Sequence, residues 1–162
     1  MQFRAGVVAV VTDGNGRVMA FERSDVPGAW QLPQGGIDVG EPVREAAWRE
    51  LLEETGLGPD DVELIGEYPD WTTYEWPPEL VEGARRSRHR LGQAQRWFVF
   101  RVRHEAVEPT PDGIEFRAWQ WVEPRWLIDQ VVEFRRPAYE RVLARLHGEG
   151  LAGSEGRTGD GA

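Results

Sequence analysis

The segment from Glu41 to Thr55 constrains this chain more than any other. Its residues are mostly helix formers, Pro42 suits a first helical turn, and Gly56 followed by Gly58-Pro59 supplies a stop, which predicts one helix of about four turns. On that helix Glu50, Glu53 and Glu54 stand at i, i+3 and i+4, so their carboxylates cluster on one face. Val43, Ala46 and Ala47 share that side, whereas Trp48, Leu51, Leu52 and Thr55 lie around the opposite one. Three like charges repel unless something compensates them. One reading is a solvated acidic face, with Arg49 forming i,i±4 pairs to Glu45 and Glu53. The sharper reading is a divalent-cation site, because clustered carboxylates are the hard oxygen ligands that Mg²⁺ or Mn²⁺ take, with positions left for water and for phosphate.

The rest of the chain reads as a mixed α/β arrangement around this helix. Ala5 to Val11 and Arg17 to Arg23 are strand-like and flank the turn residues Asp13-Gly14-Asn15-Gly16, which predicts a hairpin. Further strands are predicted at Val62 to Tyr68, Ala94 to Arg103 and Ala118 to Val122. Helices are predicted at Pro124 to Val132 and at Arg136 to His147, where Tyr139, Val142, Leu143 and Leu146 recur at three- and four-residue steps. At 162 residues one domain is expected, spanning 1–147, followed by a tail from Gly148 to Ala162 that lacks large apolar residues beyond Leu151 and reads as disordered.

Composition excludes several function classes. Cysteine is absent, so disulfides, thiolate metal sites and a cysteine nucleophile are all ruled out. The apolar run Val7 to Val11 is too short for a secretory core or a membrane span, so a cytoplasmic protein without membrane association is expected. A net charge of -9 opposes non-specific grip on nucleic acid or anionic membrane, and any polyanion must be met locally. All 19 basic residues are arginine, and seven of them fall between Arg85 and Arg103, with His89 and His104. This run either steers a polyphosphate or RNA 5′ end, or is a charged loop followed by the solvent face of a strand on which Arg101 and Arg103 alternate with Val102. His89 has no second histidine at metal spacing and is not offered as a ligand.

The glutamate helix sits inside a longer pattern: Gly35, five residues, Glu41, seven residues, then Arg49-Glu50-Leu51-Leu52-Glu53-Glu54-Thr55-Gly56-Leu57. This resembles the Nudix box, G-x5-E-x7-R-E-U-x-E-E-x-G-U, with every constrained position filled; an accidental match is on the order of 10⁻⁸ at average residue frequencies. The resemblance implies a Nudix fold, an α/β/α sandwich with a mixed sheet, in which a loop-helix-loop places glutamates around divalent ions. It implies Glu50, Glu53 and Glu54 as metal ligands, often joined by the Gly35 carbonyl, and Arg49 as the residue that orients a glutamate. Such chemistry suits a diphosphate, whose hydrolysis needs positive charge on its oxygens and an activated water; two or more Mg²⁺ or Mn²⁺ ions supply both. A carboxylate not saturated by metal accepts the water proton, Glu53 being the first choice and Glu115 the second.

Outside the box the similarity extends to the subgroup of RNA pyrophosphohydrolases and plant-type dinucleoside tetraphosphate hydrolases. It rests on Trp30-Gln31-Leu32-Pro33-Gln34-Gly35-Gly36, on Trp71, Tyr74 and Pro77, on Gly92-Gln93-Ala94-Gln95-Arg96-Trp97-Phe98, on Glu115-Phe116 with Trp119 and Trp121, and on Val131 to Arg136 with Tyr139. By this resemblance Glu115 completes the metal site or serves as base, although by itself it reads as a surface glutamate beside a turn. Phe134 stacks a purine, although by residue type it equally suits a core. Arg135, Arg4 and, near it, Arg23 contact phosphate. Leu32, Ala94 and Glu22 depart from the subgroup and leave open whether the substrate is an RNA 5′ end or a dinucleoside tetraphosphate. A non-catalytic nucleotide-sensing module would have lost box glutamates, and all are present. No stable protein partner is expected, and the chain is read as a monomer or dimer.

Overall fold

The computed structural model describes residues 2–79 and 90–148. The expected tail from residue 149 onward, His89, and Arg85, Arg86 and Arg88 of the arginine run lie outside the described residues. Strands β1 (Gln2–Thr12) and β7 (Arg90–Val102) pair in parallel along their length at the centre of a mixed, eight-stranded sheet. Val7 to Val11 are each no more than 2% exposed, because alternate residues feed opposite cores. Val8 and Val10 pack with Tyr139, Val142 and Leu143, whereas Val7, Ala9 and Val11 pack with Ala46, Ala47 and Leu51. On β7, Trp97 and Val99 join the first cluster and Phe98 and Phe100 the second. Unbroken apolar runs are what strands covered on both faces require, and the result is the expected α/β/α sandwich.

One outer layer is helix α1 (Val43–Thr55); the other is α2 (Pro124–Gln130) and α3 (Arg136–Gly148), joined by a 3₁₀ turn at Glu133–Arg135. Tyr139 pins the second layer to the sheet. Its hydroxyl accepts the Leu32 N–H at 2.9 Å and its ring meets Trp97 edge-on at 5.2 Å, while complete burial pushes its phenol up to about 12. Val142 and Leu143 are fully covered, as their helical spacing predicts.

Several boundaries differ from expectation for identifiable reasons. Helix α1 begins at Val43, with Pro42 outside it in an extended conformation, and ends at Gly56, whose φ of 72° is left-handed and whose N–H bonds the Leu52 carbonyl at 2.9 Å. Strand β7 starts four residues before the predicted Ala94 because Gly92 to Gln95 pair with β6 (Thr72–Glu75). The predicted hairpin closes at Thr12↔Val18 but does not continue. Strand β2 (Val18–Arg23) is paired instead with β8 (Phe116–Val122) and β3 (Trp30–Gln31), and Gly6 to Val8 of β1 take β4 (Gln34–Gly36). The predicted strand at Val62 is β5 (Val62–Glu67), antiparallel to β7.

Candidate active site

Helix α1 turns Glu50 and Glu54 toward the fold, against a wholly solvated acidic face. Ala46, Ala47, Leu51 and Thr55 are fully buried and Glu54 is only 7% exposed, whereas Leu52, placed with the apolar side by the sequence, is 55% exposed. The buried arc is centred beside the acidic face because β4, running past the helix, covers it. At Gly35 a Cβ would fall on the Glu50 carboxylate, so only glycine lets the strand backbone come this close.

A pocket of about 270 Å³ opens at this junction. It brings together Gly35, Glu50, Glu54 and Glu115 with Arg4, Arg23 and Arg135, which are seven of the residues singled out from sequence, and adds Gln31, Gln34, Gly36 and Gln93. Glu53, Arg49 and Phe134 do not line it. Glu53 stands on the outer side of the helix with 57% of its side chain exposed.

Burial and mutual repulsion set the electrostatics of the carboxylates. Glu54 accepts the Gln34 N–H at 3.1 Å, yet burial first, then the charges of Glu50, Glu115 and Asp112, push its carboxyl up to about 9. Burial also raises Glu50, opposed by Arg49. Arg49 is the organising cation. Its Nε and Nη2 bond both Glu41 oxygens at 2.8 Å, its Nη2 also bonds the Gly36 carbonyl at 2.8 Å, and its Nη1 bonds Glu50 at 2.8 Å and Glu53 at 3.4 Å. This forked contact holds Glu41 down to about 2. The expected Arg49 pair with Glu53 is therefore present as a minor contact; Glu41 replaces Glu45 as the main partner.

Glu115 is presented by a turn that the sequence signalled through Pro111, Asp112 and Gly113. Asp112 Oδ1 accepts the N–H groups of Ile114, Glu115 and Phe116 at 2.9–3.0 Å, and its own N–H bonds the Glu54 carbonyl at 3.2 Å, locking the loop to the helix end. Among the described residues no three acidic or histidine side chains already converge on one point at ligand distance. The donor set itself fits a divalent ion: hard carboxylate and carbonyl oxygens, one carboxyl held far above its ordinary value by burial first and by neighbouring carboxylates second, both of which a bound cation would offset.

Three arginines share the pocket with the carboxylates. Arg135 is 9% exposed; its Nη1 donates to Gln31 Oε1 at 2.7 Å, and its Cζ sits 5.7 and 5.6 Å from the Tyr74 and Phe134 ring centroids. Phe134 is half-buried and leans on Tyr74 at 5.4 Å, so it is neither a free platform nor a core residue. Tyr74 donates to Gln93 Oε1 at 2.8 Å, which also accepts from Gln95 at 2.9 Å. Arg4 is exposed and lies over Gly36, where a Cβ would meet its guanidinium. Arg23 reaches the pocket while paired to Asp25 by two bonds of 3.0 and 2.7 Å. Glu22 is occupied elsewhere, with Arg117 at 2.8 Å. The three pocket glutamines, though they stand in the quoted motifs, were not singled out as site residues, and neither were Gln95 behind them and Asp112, since neutral amides carry no chemistry that marks a site.

A three-layer mixed sheet with this loop-helix-loop defines the Nudix class of proteins, and the NUDIX domain family model matches residues 2–142. The chain belongs to the Nudix family, whose members generally use divalent metal ions. It is 42% identical over 152 residues to the RNA pyrophosphohydrolase of Dinoroseobacter shibae, covering 88% of this chain and 91% of that one. It is 37% identical over 149 residues to Nudix hydrolase 25 of Arabidopsis thaliana, covering 87% and 84%. In fold it is similar to the E. coli dihydroneopterin triphosphate pyrophosphohydrolase, with a TM-score of 0.71 at 21% identity over 90% of this chain and 99% of that one. Among the described residues no helix is long and apolar enough to cross a membrane.

Proposed function

We propose that this protein hydrolyses a diphosphate linkage in a nucleoside 5′-polyphosphate, and that its substrate is the 5′ end of RNA, from which it removes pyrophosphate. The observation that carries the reading is one pocket lined both by the carboxylates Glu50, Glu54 and Glu115 and by the guanidinium residues Arg4, Arg23 and Arg135. Identity above 40% along nearly the whole length of a named RNA pyrophosphohydrolase supports the choice of RNA. The setting it implies is the cytoplasm, where such ends are made.

The Gly35 carbonyl with Glu50, Glu53, Glu54 and Glu115 would hold two or more Mg²⁺ or Mn²⁺ ions, which supply charge neutralisation on phosphate oxygens and a lowered pKa for bound water. Arg4 and Arg135 bind the phosphate chain, with Arg23 released from Asp25 as a third donor. Gln31 and the Tyr74 ring keep the Arg135 fork in place before substrate arrives. Phe134 stacks the first base. Arg49 holds Glu50 and ties the residue 36–41 loop to the helix. Of the two candidate bases, Glu115 lines the pocket and Glu53 does not, so Glu115 takes the water proton.

The test is a substrate panel with product identification in ¹⁸O-water. 5′-Triphosphorylated RNA should release pyrophosphate, with the label in a phosphate-containing product and full dependence on added divalent ion. A dinucleoside tetraphosphate preferred by more than about tenfold in kcat/KM, roughly 1.4 kcal/mol, would transfer the assignment to that substrate. Hydrolysis of neither would leave a nucleotide-sensing module as the better description.

A further inference from the structure

Arg101 and Arg103, the last two arginines of the run, lie away from the pocket. Strands β1 and β7 lead away from it in parallel, from Arg4↔Gln93 at the pocket to Thr12↔Arg101 at the far end. Eight residues at about 3.3 Å each separate the two ends by about 26 Å. There a second cleft of about 620 Å³ is lined by Arg17, Arg101, Arg103, His104 and Trp121. Resting on the RNA reading above, we infer that this cleft receives the single strand of RNA downstream of the 5′ end.

The cleft combines cations with an aromatic face, the pairing that binds single strands without reading their sequence. Arg17 is fixed by its turn: Asp13 Oδ1 accepts the Arg17 N–H at 3.0 Å, Asp13 Oδ2 accepts Nε at 2.8 Å, and the guanidinium sits 5.7 Å from the Trp121 ring centroid. Arg101 pairs with Glu63 at 2.7 Å, and Arg103 donates to the Pro59 carbonyl at 2.8 Å. These contacts leave the Arg17, Arg101 and Arg103 side chains 50%, 32% and 45% exposed. Trp119 lies 6.2 Å from Trp121, edge to face, and both are half-buried. Asp13 and Glu105 also line the cleft, so its charge attracts a phosphate backbone only moderately and stacking must supply the rest.

A route joins the two sites. Strand β8 begins one residue after Glu115 and ends one residue past Trp121, and among the described residues it pairs with β2 on one edge and with no strand on the other. A dinucleoside polyphosphate with its phosphate chain in the pocket extends beyond it by one nucleoside, whereas a strand stacked at about 3.4 Å per nucleotide covers the distance to the cleft in about eight nucleotides. The cleft thus favours RNA ends over free nucleotides through length alone.

The test compares kcat/KM for 5′-triphosphorylated RNAs of 2 and 12 nucleotides, together with binding of a 5′-hydroxyl 12-mer that cannot be cleaved. The native protein should prefer the 12-mer by about fivefold or more, the low end of one base stack. The double variant R17A/R103A should lose that preference and the oligonucleotide binding, with the 2-mer within twofold of native; Arg103→Ala alone, away from the turn, keeps the test intact if the pair fails to fold. Equal kcat/KM at both lengths, or equal losses at both lengths in the variants, overturns the cleft and spares the RNA reading. Oligonucleotide binding that the variants abolish, in a protein that hydrolyses neither RNA, overturns the RNA reading and keeps the cleft. Displacement of the 12-mer by polyglutamate of equal charge overturns it in favour of an acidic protein segment.

Discussion

Phe134 lies next to Arg135, a pocket residue, with its own ring outside the pocket lining and half-buried. Tyr74 and the Arg135 guanidinium both contact the ring, and its burial is only partial. Phe134→Ala is therefore expected to weaken substrate binding by about 1–3 kcal/mol, seen mainly in KM, with thermal stability nearly native. A core role would produce the reverse pattern, a lower Tm by a similar free energy at unchanged KM. The two candidate bases separate by another readout. Glu115→Gln should lower kcat by about 10²–10⁴-fold and remove the acid limb of the pH profile, while Glu53→Gln should weaken metal dependence and keep that limb. Loss of the limb in Glu53→Gln alone would move the base to the outer side of the helix.

Helix α1 works as one element because Arg49 ties its acidic face to the loop that precedes it, through Glu41 and the Gly36 carbonyl. A lysine has a point charge where this contact needs a planar fork, so Arg49→Lys should cost about tenfold or more in kcat/KM and should weaken activation by Mg²⁺. Gly56 matters only for the fold. Its φ of 72° strains any residue with a Cβ, while the nearest atoms leave room for one, so Gly56→Ala should lower stability in urea by about 1–2 kcal/mol without changing kcat. The long elements were legible because periodicity is a local signal: the unbroken valines of β1, the apolar steps of α3 and the capped run of α1 each declare themselves. Strands β3, β4 and β6 have two to four residues and exist because a partner is beside them, so no pattern within them announces a strand. The Nudix box marked Glu50 and Glu54, and the subgroup resemblance marked Glu115, Arg4, Arg23 and Arg135, which line the same pocket. Neither revealed that Leu52 faces water, that Gln31 steadies Arg135, or that Arg101 lies at the opposite end of its strand from the site, because these depend on which faces the sheet covers.

At the scale of the whole molecule, the pocket carboxylates couple folding to pH and to metal. Glu54 has its ordinary 4.5 in the unfolded chain and about 9 in the fold, where burial and the neighbouring carboxylates oppose its charge. Between those values the folded protein keeps a proton that the unfolded chain has released, so stability from this group is complete below about pH 4.5 and is lost as pH rises through about 9. Glu50, also raised by burial, adds a slope of the same sign. Glu41, held at about 2 by Arg49, has the opposite effect: its contribution is present above about pH 4.5 and is lost only as pH falls through 2. With chelator present, Tm should therefore decline from about pH 5 to about pH 9, and Glu54→Gln should flatten that decline. Millimolar Mg²⁺ or Mn²⁺ replaces the proton, so it should raise Tm more at pH 8 than at pH 5 and should do so much less in Glu54→Gln. An unchanged pH slope in Glu54→Gln would place the buried proton on another group, and a metal effect independent of pH would place the ion away from α1.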